Sequence, residues 1–299
     1  MTCIPLAKPY TPSKLQFPVY VSTKYDGVPV RIDISYQPGL GWSHSIRSRQ
    51  SEPVYSVQKL VAQFVHQYAT EADILGLPRP VTFVGEVIQR GNWFAPFKDT
   101  SGIVRRQYDQ SDLLEIKLFD AWYEDGERRV ISFRERVDLI TKVAHFKLHP
   151  WVTSADFHIL HTQDQLDSWW TSYERAFPKS EGIVIRNSQD EWNPGKRSWG
   201  YQKGVREPTI DLRIVQFEEG AGKNANAVGR IWADYKGTTI GVGPGKLSYD
   251  ERRELWTKHR DSFLGGPIAT IKYKSDPSYA ALRQPTFQHW RTDKTEPDA

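Results

Sequence analysis

The sequence holds a single cysteine, Cys3, among 299 residues. Neither an internal disulfide nor a structural zinc site built from two or more cysteines can form. Long hydrophobic runs are missing too. No apolar stretch approaches the roughly 20 residues that cross a bilayer, and Met1 to Leu15 is broken by Lys, Pro and Thr where a signal core would be continuous. Nor is there much charge of one sign, since 40 Lys plus Arg against 36 Asp plus Glu leaves +4. These absences point to a reduced, cytoplasmic protein with no membrane segment.

What is present suits a folded globular chain. Hydrophobic residues make up 38% and charged ones 25%, enough apolar material for real cores and too little bias for disorder. The length predicts two domains. From Met1 to Gly220 there are 27 basic and 27 acidic residues, and from Ala221 to Ala299 there are 13 and 9, so the whole excess lies in the last quarter. That placement favours a polyanion partner at the C-terminal end, although an ordinary solvated surface gives the same balance.

Phe17 to Ser22, Val28 to Ser35, Val81 to Ile88, Leu113 to Trp122 and Gly182 to Arg186 are rich in β-branched and aromatic residues and bounded by turn formers. They are predicted strands. Helical spacing links Val57, Leu60, Val61, Phe64, Val65 and Tyr68, while Ser132 with Glu135 and Thr162 with Gln165 read as capping boxes. The first two hundred residues therefore read as an α+β domain with mainly antiparallel sheets. After Asp211 the texture changes to short strands between Gly-rich turns, with one helix opened by Ser248 and Glu251. Five short strands in about 90 residues suit a small Greek-key barrel such as an OB-fold. The predicted boundary separates residues 1–208 from 209–299.

Lys24, Tyr25, Asp26 and Gly27 follow a strand end. A lysine there, with a carboxylate two positions on and a glycine permitting close backbone approach, suits a nucleophile facing a phosphate; the plain alternative is a solvated lysine beside a turn. With a pKa of about 10.4 it is almost fully charged at neutral pH, so nearby cations and a metal are expected to lower that value. Glu86 and Glu181 are acidic residues in otherwise apolar strands, which costs free energy unless they are paired or near a cation. His145 and His149 stand four apart, but no HExxH pattern surrounds them.

The segments KYDG, SR, GE, LFD, EGIVIR, YQKG and RTDK, carrying Lys24, Arg49, Glu86, Phe119, Glu181, Lys203, Arg291 and Lys294, run in order along nearly the full chain. This series resembles the motifs of the covalent nucleotidyltransferase superfamily, in particular ATP-dependent DNA ligases of the small phage type. The resemblance implies a nucleotidyltransferase domain with ATP-grasp-like antiparallel sheets and helices, followed by the OB-fold barrel. It implies that Lys24, with Asp26 beside it, attacks the α-phosphate of ATP and holds AMP; that Glu86 and Glu181 contact the ribose and coordinate Mg²⁺; and that Phe119 stacks on adenine. Lys203 and Arg206 would neutralise the α-phosphate, and Arg291 and Lys294 would reach the pyrophosphate when the second domain closes about a hinge near Pro208 to Asp211. Arg47 and Arg49 would hold a 5′-phosphate or ribose, and Lys223, Lys236 and Lys246 are further candidate DNA contacts.

Some positions depart from the family pattern. Pro29 stands where an arginine is common, with Arg31 two residues on and on the same strand face; Val84 replaces an aspartate before Gly85; Val205 replaces a second lysine; and Ser22 stands where many relatives place Glu or Gln. The implied activity is sealing of nicked double-stranded DNA in replication or repair, in a bacterial or phage-infected cell, by a monomer without an obligate protein partner. An RNA ligase, a GTP-using capping guanylyltransferase and a non-catalytic nucleic-acid-binding module are the alternatives.

Overall fold

The computed structural model describes residues 4–123, 131–205, 207–259, 266–274 and 282–298. The chain forms two compact units, Met1–Val205 and Arg206–Ala299.

In the first unit the elements are β1 (Leu6–Pro9), β2 (Val19–Thr23), β3 (Val28–Gln37), β4 (Gly41–Ser48), α1 (Gln58–Glu71), β5 (Val81–Gln89), α2 (Phe97–Val104), β6 (Leu114–Tyr123), α3 (Phe133–His145), β7 (Val152–Ser154), β8 (His158–Leu160), α4 (Gln163–Ala176), β9 (Gly182–Asn187) and β10 (Arg197–Val205). One sheet has the order β4-β3-β5-β6-β7 and the other β1-β10-β9-β2-β8. Only the β1–β10 and β6–β7 pairs are parallel among the described strands. The alternation of β3 explains the packing of the first sheet. Val30, Ile32 and Ile34 are buried with Phe64 and Tyr68 of α1 and Phe83 of β5, so Pro29, Arg31 and Asp33 must point to the opposite face. On the second sheet Val19, Val21, Ile183 and Ile185 pack with Leu166 and Tyr173 of α4, leaving Tyr20, Ser22, Val184 and Arg186 on the other side.

A buried ion cluster ties the two sheets together. Arg136 Nε of α3 and Arg186 Nη1 donate to the Asp120 carboxylate at 2.8 and 2.9 Å, and Arg186 Nη2 lies 2.8 Å from Asp190. Two guanidiniums and two carboxylates balance, which is the condition for burying such charges. The Arg186 guanidinium also lies over the rings of Phe133 and Tyr201 at 4.2 and 4.1 Å.

The expected capping boxes form at Ser132–Glu135 and Ser248–Glu251. At Thr162 only half forms: the hydroxyl caps Gln165 N–H at 3.2 Å, but the Gln165 side chain accepts from the His161 N–H instead.

The second unit holds β11 (Thr209–Glu219), β12 (Val228–Tyr235), β13 (Thr238–Val242), α5 (Tyr249–His259), β14 (Ile268–Lys274) and β15 (Arg283–Trp290). The five antiparallel strands expected are there, in the order β13-β12-β11-β14-β15. The expected closed barrel is corrected to an open sheet: among the described residues, a single bridge between Gly243 and Thr286 joins its two edges, and no full ladder does. Leu212, Ile214, Ile231, Val242, Ile271 and Phe287 form its core.

Candidate active site

β2 ends at Thr23, and the face that carries Tyr20 and Ser22 continues to Lys24. The Lys24 N–H donates to the carbonyl of Gly182 at 2.9 Å, which brings the lysine to the start of β9. There its ammonium donates to the Glu181 carboxylate. Gly182 has φ +144°, and a Cβ on it would lie 2.0 Å from the Gly204 carbonyl. Only glycine fits so close a crossing of β9 on β10.

Gly27 plays the matching part on the other sheet. A Cβ there would meet the Val87 carbonyl at 2.2 Å, so the KYDG turn presses against β5 beside Glu86. Glu86 pairs across the ladder with Pro29 and Lys117, on the face away from the apolar core. Its carboxyl is pushed up to about 8, first by burial; Lys24 and Arg49 pull it back, and Glu181 and Asp26 add to the rise. A carboxyl held there keeps its proton at neutral pH, so the two positive charges of Lys24 and Arg49 face the two negative charges of Glu181 and Asp26.

The expected depression of Lys24 is not found. Burial pulls its pKa down, but Glu181, Glu86 and Asp26 outweigh burial and hold it above the ordinary lysine value. In this state Lys24 is an ammonium, and Glu181 is the carboxylate it donates to.

Phe119 owes its orientation to a bulge. In the β5–β6 ladder Gly85 pairs with Leu118 and Val84 with Asp120, so Phe119 is the extra, unpaired residue. Bulges re-aim side chains, and this one sends Phe119 to the cluster of Tyr25, Ile88 and Ala155 beside the KYDG turn. Arg31 stands opposite Arg47 on β4, and its Nε donates to Asp33 at 2.7 Å. Arg47 is exposed and Arg49 lies just beyond β4. Lys203 shares a face of β10 with Tyr201, and pairs with Val184. Arg206 lies outside the described residues.

Asp156, which lies in no motif, and Tyr201, the first residue of YQKG, adjoin the site. Asp156, between β7 and β8, accepts from the Thr23 N–H at 2.9 Å, the Thr23 hydroxyl at 2.6 Å and the Tyr25 phenol at 3.2 Å. It thus anchors both residues that flank Lys24. Tyr201 is buried where the charges of Lys24 and Glu86 reach it. His149 bonds Gln63 at 3.2 Å, and Trp169 and Trp170 pack against the core under α4.

In the second unit Arg291 and Lys294 both pair with Asp211, Lys294 at 2.7 Å. Lys223, Lys236 and Lys246 are exposed at separate turns of that unit.

A model of the ATP dependent DNA ligase domain matches residues 5–204, two thirds of the sequence. This chain belongs to that family. The DNA ligase of Methanococcoides burtonii is 27% identical over 316 residues, covering 93% of this chain and 52% of that protein. The DNA ligase of Natronomonas pharaonis is 26% identical over 219 residues, covering 70% of this chain and 36% of that protein. The chain therefore spans about a third to a half of these curated ligases. Among solved structures, one named Pmar-Lig_Pre is similar with a TM-score of 0.75 at 20% identity, covering 97% of this chain and 67% of that one. A Lig E DNA ligase, studied for DNA binding with a minimal scaffold, gives 0.70 at 18%, covering 97% and 100%. The ATP-dependent ligase of bacteriophage T7 in complex with ATP gives 0.56 at 16%, covering 96% and 98%. At these identities the likeness establishes the fold, a nucleotidyltransferase unit followed by an OB-fold unit.

Proposed function

We propose that the chain is an ATP-dependent DNA ligase that seals nicks in duplex DNA, with AMP carried on Lys24. The adenylation domain is residues 1–208 and the OB-fold domain 209–299. The observation that carries this reading is that Lys24, just after β2, donates to Glu181, just before β9, within electrostatic reach of Glu86 on β5 of the other sheet. Membership of the ligase family and the T7 enzyme's complex with ATP support the choice of nucleotide.

The chemistry splits one hard displacement into three easier ones. Glu181 takes the proton of the Lys24 ammonium, the freed nitrogen attacks the α-phosphorus, and the bond to the β-phosphate breaks to release pyrophosphate. Asp26 helps hold the turn beside the reacting nitrogen. A 5′-phosphate oxygen of the nick then attacks the same phosphorus; the P–N bond breaks and Lys24 regains its proton. Finally the 3′-hydroxyl attacks the activated 5′-phosphate and AMP leaves. Phe119 offers adenine a flat face, Arg31, Arg49 and Glu86 hold the ribose and phosphates, and Lys203 with Arg206 offsets charge building on the α-phosphate. Arg291 and Lys294 serve the pyrophosphate. Arg47, Arg49, Lys223, Lys236 and Lys246 contact the DNA backbone, a grip that weakens with salt.

Glu86 and Glu181 suit Mg²⁺, a hard cation that needs only one or two carboxylates beside phosphate oxygens and water, and a cation held there would favour the ionised form of Glu86. When bound there, Mg²⁺ supplies positive charge to the phosphate oxygens.

Incubation with α-labelled ATP or α-labelled GTP and Mg²⁺, followed by denaturation, tests the reading. Label from ATP that chases onto nicked DNA supports it; label from GTP, discharge onto nicked RNA alone, or no label at all sinks it. Lys24→Ala is expected to abolish labelling.

A further inference from the structure

Asp211, near the start of β11, is buried with its side chain 6% exposed. Its Oδ1 accepts from the Thr270 hydroxyl at 2.5 Å, which fixes the carboxylate on β14. Its Oδ2 accepts from both Arg291 Nη1 and Lys294 Nζ. Its backbone is held as well, since Asp211 N–H donates to the Asp298 carboxylate at 2.9 Å and Asp298 N–H to the Asp211 carbonyl at 2.8 Å.

Two outer carboxylates share the same cations. Asp293 receives Arg291 Nε and Nη2 at 2.8 and 2.6 Å, and Asp298 receives Lys294 at 2.8 Å. Asp293 and Asp298 are 66% and 46% exposed, so water screens them. Asp211 alone is both buried and bonded to both cations. Left without it, a guanidinium and an ammonium so close together would repel and separate.

We infer that Asp211 is a positioning residue that sets Arg291 and Lys294 side by side as one two-cation grip for pyrophosphate. The inference rests on the ligase reading and deepens it: the grip serves the first step, in which pyrophosphate leaves, and has no part in the last, in which AMP leaves. In Asp211→Asn the amide oxygen still accepts from Thr270, while its NH₂ turns a donor toward two donors.

The test compares two steps in the full chain: loading with α-labelled ATP, with its reversal by inorganic pyrophosphate, and sealing of a nick already carrying AMP. Asp211→Asn is expected to slow loading and its reversal by about ten- to a hundredfold, the scale of an ångström-sized misplacement, with sealing unchanged. Asp211→Glu, which keeps the charge, is expected to recover part of the loading rate. Equal loss in both steps, or faster loading, overturns the inference. Should Asp211→Asn fail to fold, Asp211→Glu must still slow loading more than sealing, and parity there overturns it too. A wild-type protein that takes no label overturns the ligase reading and this inference together; a labelled wild type with balanced losses in the variants overturns the inference alone.

Discussion

Asp120 on β6 and Arg186 on β9 form a 2.9 Å ion pair that joins the two sheets of the first unit. Both side chains are almost wholly out of contact with water. Burial alone would raise the Asp120 pKa, but Arg136 and Arg186 hold it below the ordinary value. Removing its charge leaves two buried guanidiniums facing one remaining carboxylate. Asp120→Asn is therefore expected to cost about 3–5 kcal/mol of stability. Chemical unfolding measures this, and a loss under about 1 kcal/mol would show that water or another group compensates the arginines.

Glu86 predicts how the free protein responds to pH. Its carboxyl is pushed up to about 8 from an ordinary 4.5, mainly by burial. The folded state thus holds a proton that the unfolded chain has lost, so this group makes stability fall as pH rises from about 4.5 to about 8, and adds no slope outside that window. Lys24, held above its ordinary value, acts only at higher pH. Melting temperature followed from pH 5 to 9 is expected to decline less steeply in Glu86→Gln than in the wild type. Parallel curves would mean that Glu86 titrates near its ordinary value.

Two glycines separate close approach from mere flexibility. A Cβ on Gly27 would sit 2.2 Å from the Val87 carbonyl and 2.9 Å from Glu86 Cγ, whereas one on Gly102, inside α2, meets nothing within 4 Å. Gly27→Ala is expected to push the KYDG turn off β5 and lower the loading rate by more than tenfold, because a shift of about an ångström is costly to a reacting group. Gly102→Ala is expected to stabilise by about 0.5–1 kcal/mol without touching activity. Normal loading by Gly27→Ala would refute the close packing of that turn.

Asp156 anchors Thr23 and Tyr25 through three hydrogen bonds. Asp156→Ala is expected to cost about 1–3 kcal/mol and to lower the maximal rate of loading while leaving the KM for ATP nearly unchanged, because the nucleophile loses its aim and the nucleotide keeps its contacts. Asp156→Asn retains one acceptor and should fall between. A change confined to KM would instead place Asp156 against the nucleotide.

Much of this was legible because it is local. Strand Val28–Gln37 and the Ser132 cap follow from alternation and from a four-residue box. Glu86 and Glu181 could be picked out because a charged residue in an apolar strand needs a reason, and Lys24 because it follows a strand end with a carboxylate two positions on and a glycine after it. Strand β10 was harder to read: Gly200 and Gly204 weaken its pattern, and both are glycine because Asp190 and Trp170 occupy the space a side chain would need. The aim of Phe119 depends on a one-residue slip between two strands, which neither strand shows by itself. Asp156 is one aspartate in a polar turn; its part comes wholly from the partners that folding brings from more than 130 positions away. Arg136 and Arg186 lie on otherwise apolar faces of α3 and β9, a sign that, in retrospect, marks the ion cluster.

The short crossing from β7 to β8 leaves one sheet and enters the other, and Asp156 stands midway along it. Any strain that spreads the two sheets is transmitted through that carboxylate to the residues on either side of the nucleophile. Lys24 is thereby tied to both sheets at once, through the two neighbours that this one side chain holds.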